Sequence, residues 1–228
     1  DCIMKKKLGV ITIGQSPRED IIEEMRPYLG NNVEIIEVGA LDGLTYDEVL
    51  KLKPTNDDYI LITKLKDGTQ VKVAEQHIIP LMQLCIDRLE AREVDLILII
   101  CTGAFPEVFV SSKSIIYPQK LLHGVLPYLV GKGRLAVVTP DEKQIEISKR
   151  IWGRTGADVS VIYGSPYVGN SEIDRIVNEL SKIEDIDIIV LDCMGYSKHI
   201  KDQICKRINK PVILSRSLVA RILGEMLG

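Results

Sequence analysis

Two short segments carry the residue types that could do chemistry. One is Asp95-Leu96-Ile97-Leu98-Ile99-Ile100-Cys101-Thr102-Gly103 and the other is Asp187-Ile188-Ile189-Val190-Leu191-Asp192-Cys193-Met194-Gly195. They align at an offset of 92 residues, with four of nine positions identical. Each ends an apolar, β-branched run with a cysteine, and a glycine follows two residues later. Such runs read as buried strands. Ligands of open α/β sheets bind beyond the carboxyl ends of strands, and glycine there lets a ligand approach the backbone. A thiol titrates near working pH, so one cysteine as thiolate and one as thiol can move a proton off one face of a substrate and onto the other. Cys101 and Cys193 are therefore the candidate acid/base pair for inverting a stereocentre beside a carboxylate.

The elements that must position these thiols repeat as well. Lys7–Thr12 aligns with Arg134–Thr139 at an offset of 127, and Ile115-Ile116-Tyr117 with Val212-Ile213-Leu214. Strands are expected at Leu8–Ile13, Val33–Val38, Asp95–Ile100, Leu135–Thr139, Val159–Tyr163, Ile186–Leu191 and Val212–Leu214. Helices are expected at Pro17–Leu29, Glu75–Arg92, Gln119–Val130, Asp141–Gly156, Ser171–Ile183, Lys198–Arg207 and Ser215–Leu227. Pro17 suits a first helical position, Asp141 and Ser171 suit N-caps, and Gly156 suits a stop. Each half then reads as four strand–helix units, with a helix after each cysteine-bearing strand. Between the first strand and the cysteine-bearing strand the first half carries 35 more residues than the second, and Asp67-Gly68 between β-type runs there predicts an antiparallel hairpin at about 59–74. The expected fold is α/β. It has two pseudo-symmetric halves, 7–117 and 118–228, each with a short mainly parallel sheet flanked by helices and with a ligand cleft between them. Helices near 118–130 and 215–227 are placed to cross between the halves.

The remaining composition narrows the partners. The chain has 228 residues with a net charge of −3, and no run of basic residues exceeds Lys5-Lys6-Lys7. A nucleic-acid surface is not expected. No stretch is long and apolar enough to span a membrane, and the apolar run after Lys7 is too short for a signal peptide. Five cysteines without a CxxC motif point to reduced thiols in a cytoplasm. His77, His123 and His199 are scattered, so no metal is expected. Cys85 and Cys205, on helices, read as apolar packing. Asp1-Cys2-Ile3 precede Met4 and are given no function.

Residues at other strand ends complete the expected site. Gln15, Ser16 and Arg18 follow the first strand, and Arg18 could fork onto a carboxylate. Thr102 and Gly103 flank Cys101, while Met194 and Gly195 flank Cys193. Thr139 closes the matching strand of the second half, and Ser215 and Arg216 follow the last strand. Asp192 would raise the thiol's pKa if it faced Cys193, but strand alternation turns it to the other face. Tyr196 could serve the site or pack, and His199 reads as surface. The hairpin could be a lid, a dimer contact or packing on its own chain.

The paired strand-Cys-x-Gly motifs resemble the aspartate/glutamate/hydantoin racemase superfamily, and Val190–Gly195 is similar to a motif of its hydantoin racemase branch. Over about Lys7 to Leu227 the chain is more similar to the AroM family of that superfamily. Thr12-Ile13-Gly14-Gln15-Ser16-Pro17-Arg18, the hairpin, Val190–Gly195, Pro211–Ser215 and Ala220-Arg221 carry the resemblance. It implies two similar α/β halves, one cysteine from each, and no cofactor. Amino-acid racemases follow their cysteines with Asn-Thr and Thr-His, where this chain has Thr102-Gly103 and Met194-Gly195, so a substrate other than glutamate or aspartate is implied. Three activities stay open. One is a cofactor-independent racemase or isomerase acting on a small carboxylate or cyclic amide. The second is a non-catalytic small-acid-binding or regulatory protein, and the third a cysteine-nucleophile lyase or hydrolase. A homodimer is an open question.

Overall fold

The structure is a computed structural model that describes residues 4–167 and 169–228. The expectation for Asp1-Cys2-Ile3 lies outside those residues. The chain divides into two compact units. One comprises residues up to Pro118 together with Ala220–Gly228, and the other comprises Gln119–Val219.

In the first unit the elements run β1 (Lys6–Thr12), α1 (Glu19–Leu29), β2 (Val33–Gly39), α2 (Tyr46–Leu50), β3 (Ile60–Lys64), β4 (Gln70–Ala74), α3 (Glu75–Ala91), β5 (Leu96–Ile99) and β6 (Ile115–Ile116). The sheet order is β2-β1-β5-β6, all parallel. β5 is apolar and buried throughout, and β1 is buried from Leu8 on, because both faces are covered there. On one face Ile11, Ile13, Ile97 and Ile99 pack with Ile78, Met82, Cys85 and Leu89 of α3.

In the second unit α4 (Pro118–Val130) leads to β7 (Arg134–Thr139), a 3₁₀ turn (Glu142–Gln144) and α5 (Ile145–Gly153). Then come β8 (Asp158–Tyr163), α6 (Asn170–Ser181), β9 (Ile186–Leu191), α7 (Lys198–Cys205), β10 (Val212–Leu214) and α8 (Ser215–Leu227), whose residues from Ala220 on belong to the first unit. The sheet order, β8-β7-β9-β10, is again all parallel. It is the order of the first sheet with each strand replaced by its aligned partner. The register agrees too. Leu8 pairs with Leu96 and Ile11 with Ile99 in the first sheet; Leu135 pairs with Ile188 and Val138 with Leu191 in the second. These pairs are related by the offsets of 127 and 92 read from the sequence.

The hairpin forms as expected, with Ile60 opposite Ala74 and Lys64 opposite Gln70. Gly68 takes the left-handed backbone, φ +89°, that its turn requires. Leu61, Val71 and Val73 join the core of the first unit, so the hairpin packs on its own chain. The short helix α2, which the sequence reading lacks, is set by a capping box between Thr45 and Glu48.

Four expectations need correction. Pro17 is not in α1; that helix starts at Glu19, because Ser16 is held by Asp42 and the Arg18 N–H by Glu37 before the helix can begin. Ser171 is not the cap of α6, since Gly169 is extended there and Ser171 lies in the first turn. No helix follows Cys101: residues 101–114 are irregular. Pro106 has no N–H to give a helix, and side chains of α3 take the segment's polar groups instead. Gln83 exchanges two hydrogen bonds with the Val110 backbone, and Glu90 accepts from Ser111 Oγ and the Ser112 N–H. Cys205 is exposed, because α7 turns Ile200 and Ile204 inward and the next position points out.

Candidate functional site

Cys101 stands two residues after the end of β5, and Cys193 two residues after the end of β9. Each turn makes the same local bond. The Gly103 N–H donates to Cys101 Sγ at 3.3 Å, and the Gly195 N–H donates to Cys193 Sγ at 3.3 Å. An N–H aimed at sulfur favours the thiolate over the thiol. Both cysteines are half-buried, in contrast to Cys85, where burial pushes the thiol up to about 12. Strand alternation puts Cys193 on the sheet face that holds Leu191 and Tyr196. Asp192 lies on the opposite face, where its Oδ2 accepts from Trp152 Nε1 at 2.8 Å.

In the first unit, Gln15 and Ser16 come after β1, the strand that pairs with β5. Their polar atoms hold the local structure together. Gln15 Nε2 donates to the Leu41 and Leu44 carbonyls, and its Oε1 accepts from the Lys66 N–H. Ser16 donates to Asp42 from both its N–H and its hydroxyl. Gln15, Ser16, Asp42 and Lys66 line a surface cavity of about 410 Å³. Arg18 is buried, and its guanidinium fork closes on Asp20 at 3.0 and 2.9 Å. Gly103 lies under Leu61 and Phe105, and the Ala104 N–H donates to the Tyr59 hydroxyl at 3.1 Å. Thr102 is half-buried beside Cys101.

In the second unit more of the expected residues converge. Ser215 is fully buried, and its hydroxyl donates to the Leu191 carbonyl at 2.5 Å, pinning the end of β9. Met194 is buried. Thr139, at the end of the neighbouring β7, is buried with its hydroxyl 3.4 Å from Gln144 Oε1. Tyr196 packs: its ring is buried and its hydroxyl donates to the Gly164 carbonyl at 2.6 Å. Burial raises its pKa well above that of an ordinary tyrosine. His199 is exposed.

Three neighbours of the turns were not picked out from the sequence. Trp152 holds Asp192, Tyr167 covers Gly195, and Tyr59 receives Ala104. No local signal marks them, since each arrives from a distant element. Among the described residues no cluster of His, Cys, Asp and Glu suited to a metal ion occurs, and no helix is long and apolar enough to cross a membrane.

The family model described as AroM protein matches residues 8–227. No curated protein matches the chain. Solved structures with similar folds include the allantoin racemase from Klebsiella pneumoniae, with a TM-score of 0.65, 16% identity, and coverage of 97% of this chain and 87% of that one. The Picrophilus torridus aspartate racemase gives a TM-score of 0.63 at 16% identity, covering 98% and 94%. The maleate isomerase Iso from Pseudomonas putida gives 0.59 at 16% identity, covering 95% and 89%. At such identities the likeness is one of fold.

Proposed function

This chain belongs to the AroM family, and we propose that it is a cofactor-independent racemase or isomerase acting on a small carboxylate or cyclic amide. The observation that carries this reading is the equivalence of the two cysteine turns. Cys101 and Cys193 follow aligned strands of two sheets with one topology, and each sulfur accepts one glycine N–H at 3.3 Å. In this reading the two thiols serve opposite faces of one substrate. The thiolate removes the proton beside the carbonyl carbon, the electron pair delocalises into the carbonyl, and the other thiol returns a proton to the far face. The first sulfur ends as thiol and the second as thiolate, so the balance needs no oxidant or cofactor. The fold likeness to racemases and an isomerase supports the reaction class and leaves the substrate to experiment.

Deuterium wash-in tests the proposal. The protein is incubated in D₂O with pooled chiral carboxylates and hydantoins, and mass gain is read per compound. We expect one compound to gain a single deuterium. Cys101→Ala and Cys193→Ala should each reduce exchange by at least about 10³-fold, since each removes one obligatory proton carrier. A compound that binds tightly by calorimetry and never exchanges would replace the reading with a binding-only protein. A covalent adduct on one cysteine by intact mass would replace it with a lyase or hydrolase.

A further inference from the structure

Arg216, the second residue of α8, is 1% exposed. Taking a guanidinium out of water is costly unless its donors are satisfied. Two of its donors go to the cysteine turn. Nε donates to the Met194 carbonyl at 3.0 Å, and a terminal nitrogen donates to the Gly195 carbonyl at 3.1 Å. The Met194 carbonyl and the Gly195 N–H belong to one peptide unit, and that N–H donates to Cys193 Sγ. A hydrogen-bond chain therefore runs from a cation, through one peptide plane, to the sulfur. Donation to the carbonyl polarises the peptide and strengthens its N–H as a donor.

The aligned position at the start of α4 carries no cation. Ser215 and Arg216 align with Pro118 and Gln119, and Gln119 is uncharged. Gly103 makes the same N–H bond to sulfur beneath the apolar Leu61 and Phe105. We propose that Arg216 is a positioning residue for Cys193. Through the Met194–Gly195 peptide it fixes the turn and makes Cys193, rather than Cys101, the thiolate at neutral pH. That Cys193 then acts as the first base rests on the racemase reading; its ionisation does not.

Other charged and titratable groups surround the turn. Asp192 opposes the effect, but its carboxylate is on the other sheet face, bonded to Trp152. Tyr196 and Tyr167 bring phenol groups, and burial holds that of Tyr196 in its neutral form. Glu172 of α6 is neutralised by Arg175 at 2.5 Å. The cation bonded to the turn itself therefore decides the sign.

Iodoacetamide alkylation, read per cysteine by peptide mass spectrometry across pH, tests this on the protein without substrate. In the unmodified chain Cys193 should titrate below Cys101. Arg216→Gln should raise the Cys193 midpoint by about one pKa unit, slowing its alkylation about tenfold at pH values well below that midpoint, and leave Cys101 within about twofold. Arg216→Lys, which keeps the charge and loses the fork, should fall between. A Cys193 midpoint at or above that of Cys101 in the unmodified chain overturns the proposal, whether or not Arg216→Gln folds. So does an Arg216→Gln protein whose Cys193 rate changes equally at every pH, the mark of altered exposure alone. Absent deuterium exchange with the midpoints ordered as stated would sink the racemase reading and leave this one standing.

Discussion

In the turn after β5, Gly103 reaches Cys101 Sγ at 3.3 Å; in the turn after β9, Gly195 reaches Cys193 Sγ at the same distance. The backbones agree and the surroundings do not. Leu61 and Phe105 lie against the first turn, and the residue before its cysteine is the buried Ile100. Tyr167, Arg216 and the Trp152–Asp192 pair surround the second, with Asp192 where the first has Ile100. Sheet register fixes where a thiol stands. The side chains arriving from other elements differ, and under the proposal for Arg216 they set its charge state. Two turns alike in sequence can therefore be unlike in chemistry.

The largest effect should come from Trp152, which is fully buried. Trp152→Ala should cost about 3–5 kcal/mol in urea unfolding through lost packing. Trp152→Phe keeps most of the ring and removes the donor to Asp192, so its cost should be about 1.5–3 kcal/mol, the range for a hydrogen bond to a charged group. If Trp152→Phe is neutral, the polar clamp on the second turn does not contribute to stability.

The two glycines sharpen the contrast. A Cβ at Gly195 would stand 2.5 Å from the Tyr167 hydroxyl oxygen, whereas one at Gly103 would meet Leu61 at 3.0 Å and Phe105 at 3.2 Å. Gly195→Ala should therefore destabilise by about 1–3 kcal/mol and Gly103→Ala by less, because a leucine methyl yields more readily than a ring. Thermal unfolding of the two variants side by side checks the order.

The units should also answer pH with opposite signs. Burial raises Glu75, in the first unit, to about 7, and lowers His123, in the second, to about 4. Glu75 has a folded pKa above its unfolded one, so its contribution is full below about pH 4.5 and is lost as pH rises through 7. His123 has a folded pKa below 6.5, so its contribution is full above that pH and is lost as pH falls towards 4. Between those limits the slopes oppose. Both groups are only partly buried, so each effect should be about 1–2 kcal/mol after screening by solvent. Glu75→Gln should leave stability rising with pH, and His123→Gln should leave it falling. Urea midpoints from pH 4 to 8 read both slopes, and parallel slopes in the two variants would remove this contrast.

The smallest effect should be at Tyr59. Tyr59→Phe removes the acceptor for the Ala104 N–H and should cost about 1 kcal/mol. Tyr196→Phe, which strips a fully buried hydroxyl from the Gly164 carbonyl, should cost somewhat more, up to about 2 kcal/mol. Equal costs in denaturant titrations would mean that burial does not separate the two turns.

Much of the scaffold was legible because local patterns and global order agree. The apolar runs ending at Cys101 and Cys193 could serve only as covered strands, and their offsets reappear as sheet register. Asp67-Gly68 wrote the hairpin because few residues accept its turn. The helix expected after Cys101 failed for a tertiary reason: Gln83 and Glu90, on α3, bind the segment's backbone and hydroxyl groups. Pro17 misled in the same way, since Asp42 and Glu37 hold the residues around it.

What the sequence determined by itself is the pair of strand–cysteine–glycine turns and the succession, along the chain, of the strands that carry them. Hydrophobic periodicity and glycine placement are local, and they repeat. What only the tertiary structure decided is which groups lean on each turn. Gln15 and Ser16 are spent on Leu41, Leu44 and Asp42, and Arg18 closes on Asp20. Arg216, one of two charged residues noted beyond the strand ends, lies under the Cys193 turn with both carbonyls in its grasp. A side chain's partner depends on packing between elements far apart in sequence, and no spacing along the chain encodes it.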